Sequence, residues 1–79
     1  MKLLREKANV LVLFQDTIMN PIMIMCSMGV FKVNRVININ KERRYLRDCY
    51  IFLCSVEGRD EPIELRWDIE GNIWFLEKF

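Results

Sequence analysis

At 79 residues, with 52% apolar and 29% charged positions, the chain has the length of one small domain, residues 1–79. Twelve basic and eleven acidic residues leave a net charge of +1, so no whole-molecule field is directed at nucleic acid or an anionic membrane. There is no histidine, which removes the usual general base and the commonest metal ligand.

Taken in chain order, the apolar residues recur mostly with period two or in runs of strand length. Residues 1–7 read as a frayed extension or a helical turn. Ala8 to Phe14 forms a first strand, with Val10, Val12 and Phe14 on one face and Leu11 and Leu13 on the other. A rival reading makes Lys2 to Phe14 an amphipathic helix packed on a five-stranded sheet; the β-rich run Val10 to Phe14 favours the strand. Asn20-Pro21 marks a turn or a strand start. Ile22 to Met28 is a second strand, apolar on both faces. Gly29 is the expected turn position.

Val30 to Ile39 alternates, with Phe31, Val33, Ile37 and Ile39 on one side and Lys32, Asn34, Asn38 and Asn40 on the other. Arg35 and Val36 break that rule in opposite senses. Asn40 to Arg47 reads as a polar loop or a single helical turn. Asp48 to Val56 is apolar on both faces and reads as a central strand. Gly58 to Pro62 is a turn. Ile63 to Glu70 alternates cleanly, with Ile63, Leu65, Trp67 and Ile69 inward and Glu64, Arg66, Asp68 and Glu70 on a solvated face. Glu70-Gly71-Asn72 reads as a hairpin loop into a last strand, Ile73 to Lys78. Trp67, Trp74 and Phe75 read as core anchors of this terminal hairpin. The expected fold is all-β: about six antiparallel strands in a small, partly open SH3-like barrel or roll with a short N-terminal extension.

The three cysteines, Cys26, Cys49 and Cys54, are odd in number and lack C-x-x-C spacing. That fits neither a disulfide framework nor a zinc site and points to a reducing, cytoplasmic setting. Cys26 and Cys54 read as small buried hydrophobes. The longest uncharged run, Thr17 to Phe31, contains Asn20 and Pro21 and is shorter than the roughly 20 residues of a membrane span. No glycine-rich phosphate cradle is present. The carboxylates of Asp60 to Glu70 read as a solvated face rather than a catalytic pair. Neither a cofactor, a metal nor a small-molecule substrate is expected, and the chain reads as non-enzymatic by elimination.

Two surfaces remain as candidate sites. From Lys32 to Arg47 the chain carries six basic residues and one acid, +5. Lys41, Arg43, Arg44 and Arg47 lie close to Tyr45 and Tyr50, with Lys32 and Arg35 on the preceding strand. Cations that track phosphates beside rings that stack on bases are one way small barrels hold single-stranded nucleic acid. The same loop also suits an acidic protein. The second surface is the methionine-rich strand, where Met23, Met25 and Ile24 suit self-association as a homodimer.

A few anchors also carry a family likeness. A proline-led strand and a glycine turn followed by an aromatic and a valine are matched by Pro21, Gly29, Phe31 and Val33. A later Arg-Asp with an aromatic beyond it is matched by Arg47-Asp48 and Tyr50, and a closing apolar-aromatic strand by Trp74-Phe75-Leu76. With these, the stretch Pro21 to Phe79 resembles a family of small bacterial β-domains of unknown function, found alone or at the C-terminus of proteins related to Y-family DNA polymerases. Cys26 stands where that family usually has a tryptophan. The resemblance implies a β-barrel module near DNA repair and carries over no catalytic residue. The function expected from the sequence is thus an accessory binding module acting through its basic loop, the alternative being a self-associating structural domain.

Overall fold

A computed structural model describes Met1–Phe79. Six strands run in chain order: β1 (Leu3–Gln15), β2 (Ile18–Cys26), β3 (Gly29–Arg44), β4 (Arg47–Val56), β5 (Ile63–Asp68) and β6 (Ile73–Lys78). Each pairs antiparallel with the next, and β6 returns to β1, so the sheet closes into a barrel. Closure goes further than the partly open roll expected from the sequence. It is also what draws in the N-terminal segment, since β1 begins at Leu3 and pairs from Leu3 to Ala8 with β6. Residues 3–7 are therefore strand rather than frayed chain or helix.

Two long strands make the closure possible. β1 pairs with β6 through its first half and with β2 from Asn9 to Gln15. β3 pairs with β2 only from Gly29 to Lys32 and with β4 from Val33 onward. Each thus bends from one sheet into the other, and bulges supply the extra twist such bends need. The consequence is an arm: the β1–β2 hairpin beyond Leu11 and Ile22 has a strand neighbour on neither outer edge.

Bulges also explain the two exceptions in β3. The register shifts between Val33 and Arg35 and again between Val36 and Asn38. Each extra residue reverses the faces that follow it. Arg35 is therefore turned outward and Val36 inward opposite Cys54. The second shift restores Ile39 to the inner face, opposite Phe52. β3 then continues to Arg44, so Asn40 to Arg44 is strand rather than loop, and only Tyr45-Leu46 turns the chain. Both residues have positive φ, 55° and 62°, the backbone a two-residue hairpin requires. The β2 strand likewise starts earlier than expected, at Ile18, with Pro21 buried beside the irregularity opposite Leu11 and Val12. Ser27-Met28, rather than Gly29, forms the next turn; Gly29 closes it with φ of 125°.

The core lies between Ile24, Phe52, Cys54, Val56, Ile63, Leu65, Trp74 and Leu76. Across its wide end the inner positions of β4, β5 and β6 place Tyr50, Trp67 and Trp74 in direct register. Their rings are nearly parallel, at 19° and 26°, with centroids 5.9 and 6.1 Å apart. Trp67 is only half-buried in this row; the fully enclosed aromatic anchor is Phe52, set against Trp74 at 5.1 Å.

The outer face of β5 is not solvated, contrary to its alternation. The β3–β4 tip folds over it, and Arg66 and Asp68 are buried beneath. The Arg66 guanidinium lies between two rings, 4.7 Å from the Tyr45 centroid and 4.0 Å from Phe75. Its Nε donates to Glu77 Oε1 at 2.8 Å, and Glu77 is only 1% exposed. Phe75 thus covers Arg66 on the outside instead of anchoring the core.

Candidate functional site

The basic segment becomes an internal ion network. Arg44 donates to Glu42 and Glu64 at 3.0 and 3.2 Å and lies 3.7 Å from Glu77. Arg47 Nε donates to both oxygens of Asp68 at 3.0 Å, and its Nη1 is 3.5 Å from Glu70. Hydrogen bonds from Arg47 hold the Asp68 carboxyl below its ordinary range. Arg43 pairs with Asp48 at 3.2 Å. The Tyr45 ring lies over Arg66 and Arg5. Of the seven residues from Lys32 to Arg47 singled out in the sequence, only Lys32, Arg35 and Lys41 are exposed cations without an ion-pair partner. The acidic half of the sequence has met the basic half inside the fold.

The methionine strand divides as its period demands. Ile24, opposite Val10 and Phe31, is 1% exposed in the core, so it cannot contribute to an interface. Met23 and Met25 point the other way and stay half-exposed. Beside them on that outer face stand Leu11, opposite Met23, and Val30, opposite Met25. Leu13 continues the row toward the arm's tip. Leu11 and Leu13 are each 50% exposed and Val30 is 64% exposed. An apolar patch spread over three neighbouring strands is unusual on a chain that stands alone. The alternation of β1 shows Leu11 and Leu13 facing away from Val10 and Val12, but the sequence does not show what lies beside them.

Along this same row β1 carries a charge at each end. Lys7 precedes Asn9, Leu11, Leu13 and Gln15, and Asp16 follows in the turn. Both charges are exposed and neither is ion-paired.

A third feature was not foreseen. Between the arm and the inner face of the β3–β5 wall lies a cavity of about 370 Å³. Phe14, Ile18 and Met19 bound it on the arm side, and Ile39, Tyr50, Phe52 and Trp67 on the wall side. A larger groove lies between β1, the β2–β3 turn and β6. It is crossed by the Ser27 hydroxyl and backbone N–H, each donating to Glu6 at 2.8 Å, which keeps the Glu6 carboxyl below its ordinary range.

Nothing in the thiols suggests an activated nucleophile. Burial pushes Cys54 up to about 12 and raises Cys49. Cys26 is half-buried, which corrects the expectation of full burial. Native alkylation with iodoacetamide is therefore expected to modify Cys26 alone, with all three thiols reacting in denaturant, as counted by intact mass. Rapid native labelling of Cys49 or Cys54 would contradict this packing. No group of three or more Cys, Asp and Glu side chains is placed to hold a metal ion. No helix is long and apolar enough to cross a membrane. Comparison with protein-family models, with characterised proteins and with solved structures finds no match for this chain.

Proposed function

We propose that the chain is a non-catalytic interaction domain that self-associates through the outer face of β1, β2 and the start of β3. The observation that carries this reading is the patch of exposed Leu11, Leu13 and Val30 with half-buried Met23 and Met25 between them, bordered by Lys32 opposite Met23. Burying side chains of this size gains roughly 1.5–3 kcal/mol each when fully covered.

The charges at the ends of the row favour a second copy as the occupant. From Lys7, within β1, the outward row passes through Leu11 and Leu13 to Asp16 in the turn that follows the strand. Two copies stacked antiparallel about a point between Leu11 and Val12 would set Lys7 of each against Asp16 of the other. A two-fold contact must be self-complementary, and the charges of this row meet that condition, with Lys32, opposite Met23, the further unpaired cation on the face. The alternative, in which the basic segment grips a polyanion, retains only Lys32, Arg35 and Lys41, because Arg44 and Arg47 already serve buried or half-buried carboxylates.

Multi-angle light scattering on the full chain tests the reading. A mass near twice 9.6 kDa is expected, falling to 9.6 kDa on dilution and in Leu11→Lys or Met23→Lys. Both positions are on the outer face, so these variants should keep the wild-type circular dichroism. A chain that stays at 9.6 kDa up to about millimolar concentration would overturn it.

A further inference from the structure

We propose that the open edge of β3, from Asn38 to Arg43, takes an added antiparallel strand: an extended acidic peptide with one apolar side chain seated in the cavity under the β1–β2 arm. This edge is separate from the outer face of β1 and β2, and the proposal does not rest on self-association.

The backbone comes first. β2 leaves β3 after Met23 and Lys32, and β3 runs on to Arg44 with β4 on one side only. Outside the strand ladders the backbone makes three hydrogen bonds, and none of them reaches β3 beyond Lys32. The turn decides which residues present free groups. A two-residue hairpin closes on a hydrogen-bonded pair, here Arg44 and Arg47, and such pairs then alternate along the ladder. The register has no shift from Asn38 to Arg44. Glu42, Asn40 and Asn38 therefore bond to β4, while Arg43, Lys41 and Ile39 turn their N–H and C=O groups to the open edge. Asn38 to Lys41 are all exposed. An edge of this kind is a template for another strand.

Charge selects the occupant. From Val33 to Lys41 the strand has no acidic residue, and Arg35 and Lys41 have no ion-pair partner. A second copy is disfavoured. The two-fold register that uses Ile39, Lys41 and Arg43 sets Lys41 against Lys41, and like charges directly opposite are destabilising. A lysine here keeps like edges apart and admits a strand with a carboxylate opposite it. The other free edges lack this combination. That of β2 holds the irregularity beside Pro21, and bulges and proline blunt an edge. β1 carries no charge from Asn9 to Gln15. The cavity adds the second element of recognition. Ile39 borders it, with Phe14, Ile18 and Met19 of the arm across from it, and no charged side chain lines it. A strand added to β3 projects the residue opposite Ile39 to the same side, where about 370 Å³ has room for a large apolar side chain. Main-chain bonds then give affinity, and the pocket gives specificity.

The test uses a fluorescein-labelled seven-residue peptide of threonine with one glutamate and, two residues after it, one leucine. An antiparallel strand then sets the glutamate opposite Lys41 and the leucine opposite Ile39. Anisotropy is read with the full chain and with its Leu11→Lys variant, whose outer patch is broken. Saturable binding of one peptide per chain is expected in both. Lysine in place of the glutamate should weaken binding about tenfold, the worth of one charge-assisted hydrogen bond. Lys41→Glu, a change on an exposed edge, should reverse the preference between the two peptides and leave thermal unfolding cooperative. Methylating the backbone nitrogens of the glutamate and the leucine should abolish binding, whereas methylating the threonine between them should not. Equal binding of the two methylated peptides, or a preference for glutamate that survives Lys41→Glu, would overturn the proposal. So would binding that Leu11→Lys removes, which would place the peptide on the outer face. Failure of the peptide at about 1 mM would do the same, and binding of a labelled single-stranded DNA in its place would make the cations a polyanion site.

Discussion

Replacing Glu77 with alanine is expected to destabilise the domain by about 3–5 kcal/mol, the usual cost of leaving one member of a buried ion pair without its partner. Glu77 Oε1 accepts from Arg66 at 2.8 Å, and Arg44 stands 3.7 Å away. The Arg66 guanidinium is closed in by the Tyr45 and Phe75 rings, so it cannot reach water to recover its hydration. At the usual figure per residue a chain this size has about 4–12 kcal/mol in total. The single change therefore removes a large share. The double change Arg66→Met with Glu77→Leu should recover most of it, because replacing a whole buried pair by apolar groups is often neutral. Urea unfolding of the wild type and the two variants measures this directly. A Glu77→Ala chain within about 1 kcal/mol of wild type would show that the β3–β4 tip does not cover Arg66 as described.

The second large effect is Phe52→Ala. Phe52 is enclosed by Trp74 and the inner faces of β3 to β5, and its removal should cost about 3–5 kcal/mol. Trp67→Ala should cost clearly less, since Trp67 is half-exposed at the cavity and loses mainly its stacking on Tyr50 and Trp74. From the sequence alone Trp67 reads as a core anchor whose inward face matches that of Ile63 and Leu65, so the ranking of these two variants separates the structure from the pattern. A Trp67 variant that melts below the Phe52 variant would reverse it.

Much of the fold is legible in the sequence because the strands of the second half alternate cleanly. Ile63 and Leu65 inward follow from the period, but β5 stops at Asp68 and the turn takes in Ile69 to Asn72, two residues earlier than the alternation suggests, and it is this longer turn that sets Trp67 opposite Trp74. What cannot be read is whatever tertiary closure decides. The bulges that turn Arg35 out and Val36 in leave no local signature beyond the two exceptions themselves. The Tyr45-Leu46 turn lacks the glycine or asparagine that normally marks positive φ. We attribute its persistence to the Tyr45 ring, which packs over Arg66 and Arg5. Arg66 and Asp68 look solvated because alternation describes one strand, whereas their cover comes from another strand's tip.

The candidate surfaces show the same division. β2 is apolar on both faces, so its period separates Met23 and Met25 from Ile24 without saying which side is outward; the barrel puts Ile24 in the core and leaves the two methionines outside. The sequence sets a basic stretch against an acidic one that could complement it within the fold or between copies, but it does not show which residues pair. Glu64, Asp68, Glu70 and Glu77 are distant along the chain from Arg44 and Arg47, and the barrel brings them together. Lys7 and Asp16 are single charges in the sequence, and they gain meaning as a pair only at the two ends of one outward row.

That row offers the most direct test of the self-association that the account centres on. Light scattering of Lys7→Glu and Asp16→Lys, alone and combined, would be measured at one concentration and salt near the wild-type dissociation midpoint. The antiparallel pairing predicts that each single reversal lowers the dimer fraction by setting like charges together, and that the double reversal restores it. Singles that leave the fraction unchanged, or a double variant no better than either single, would contradict that arrangement.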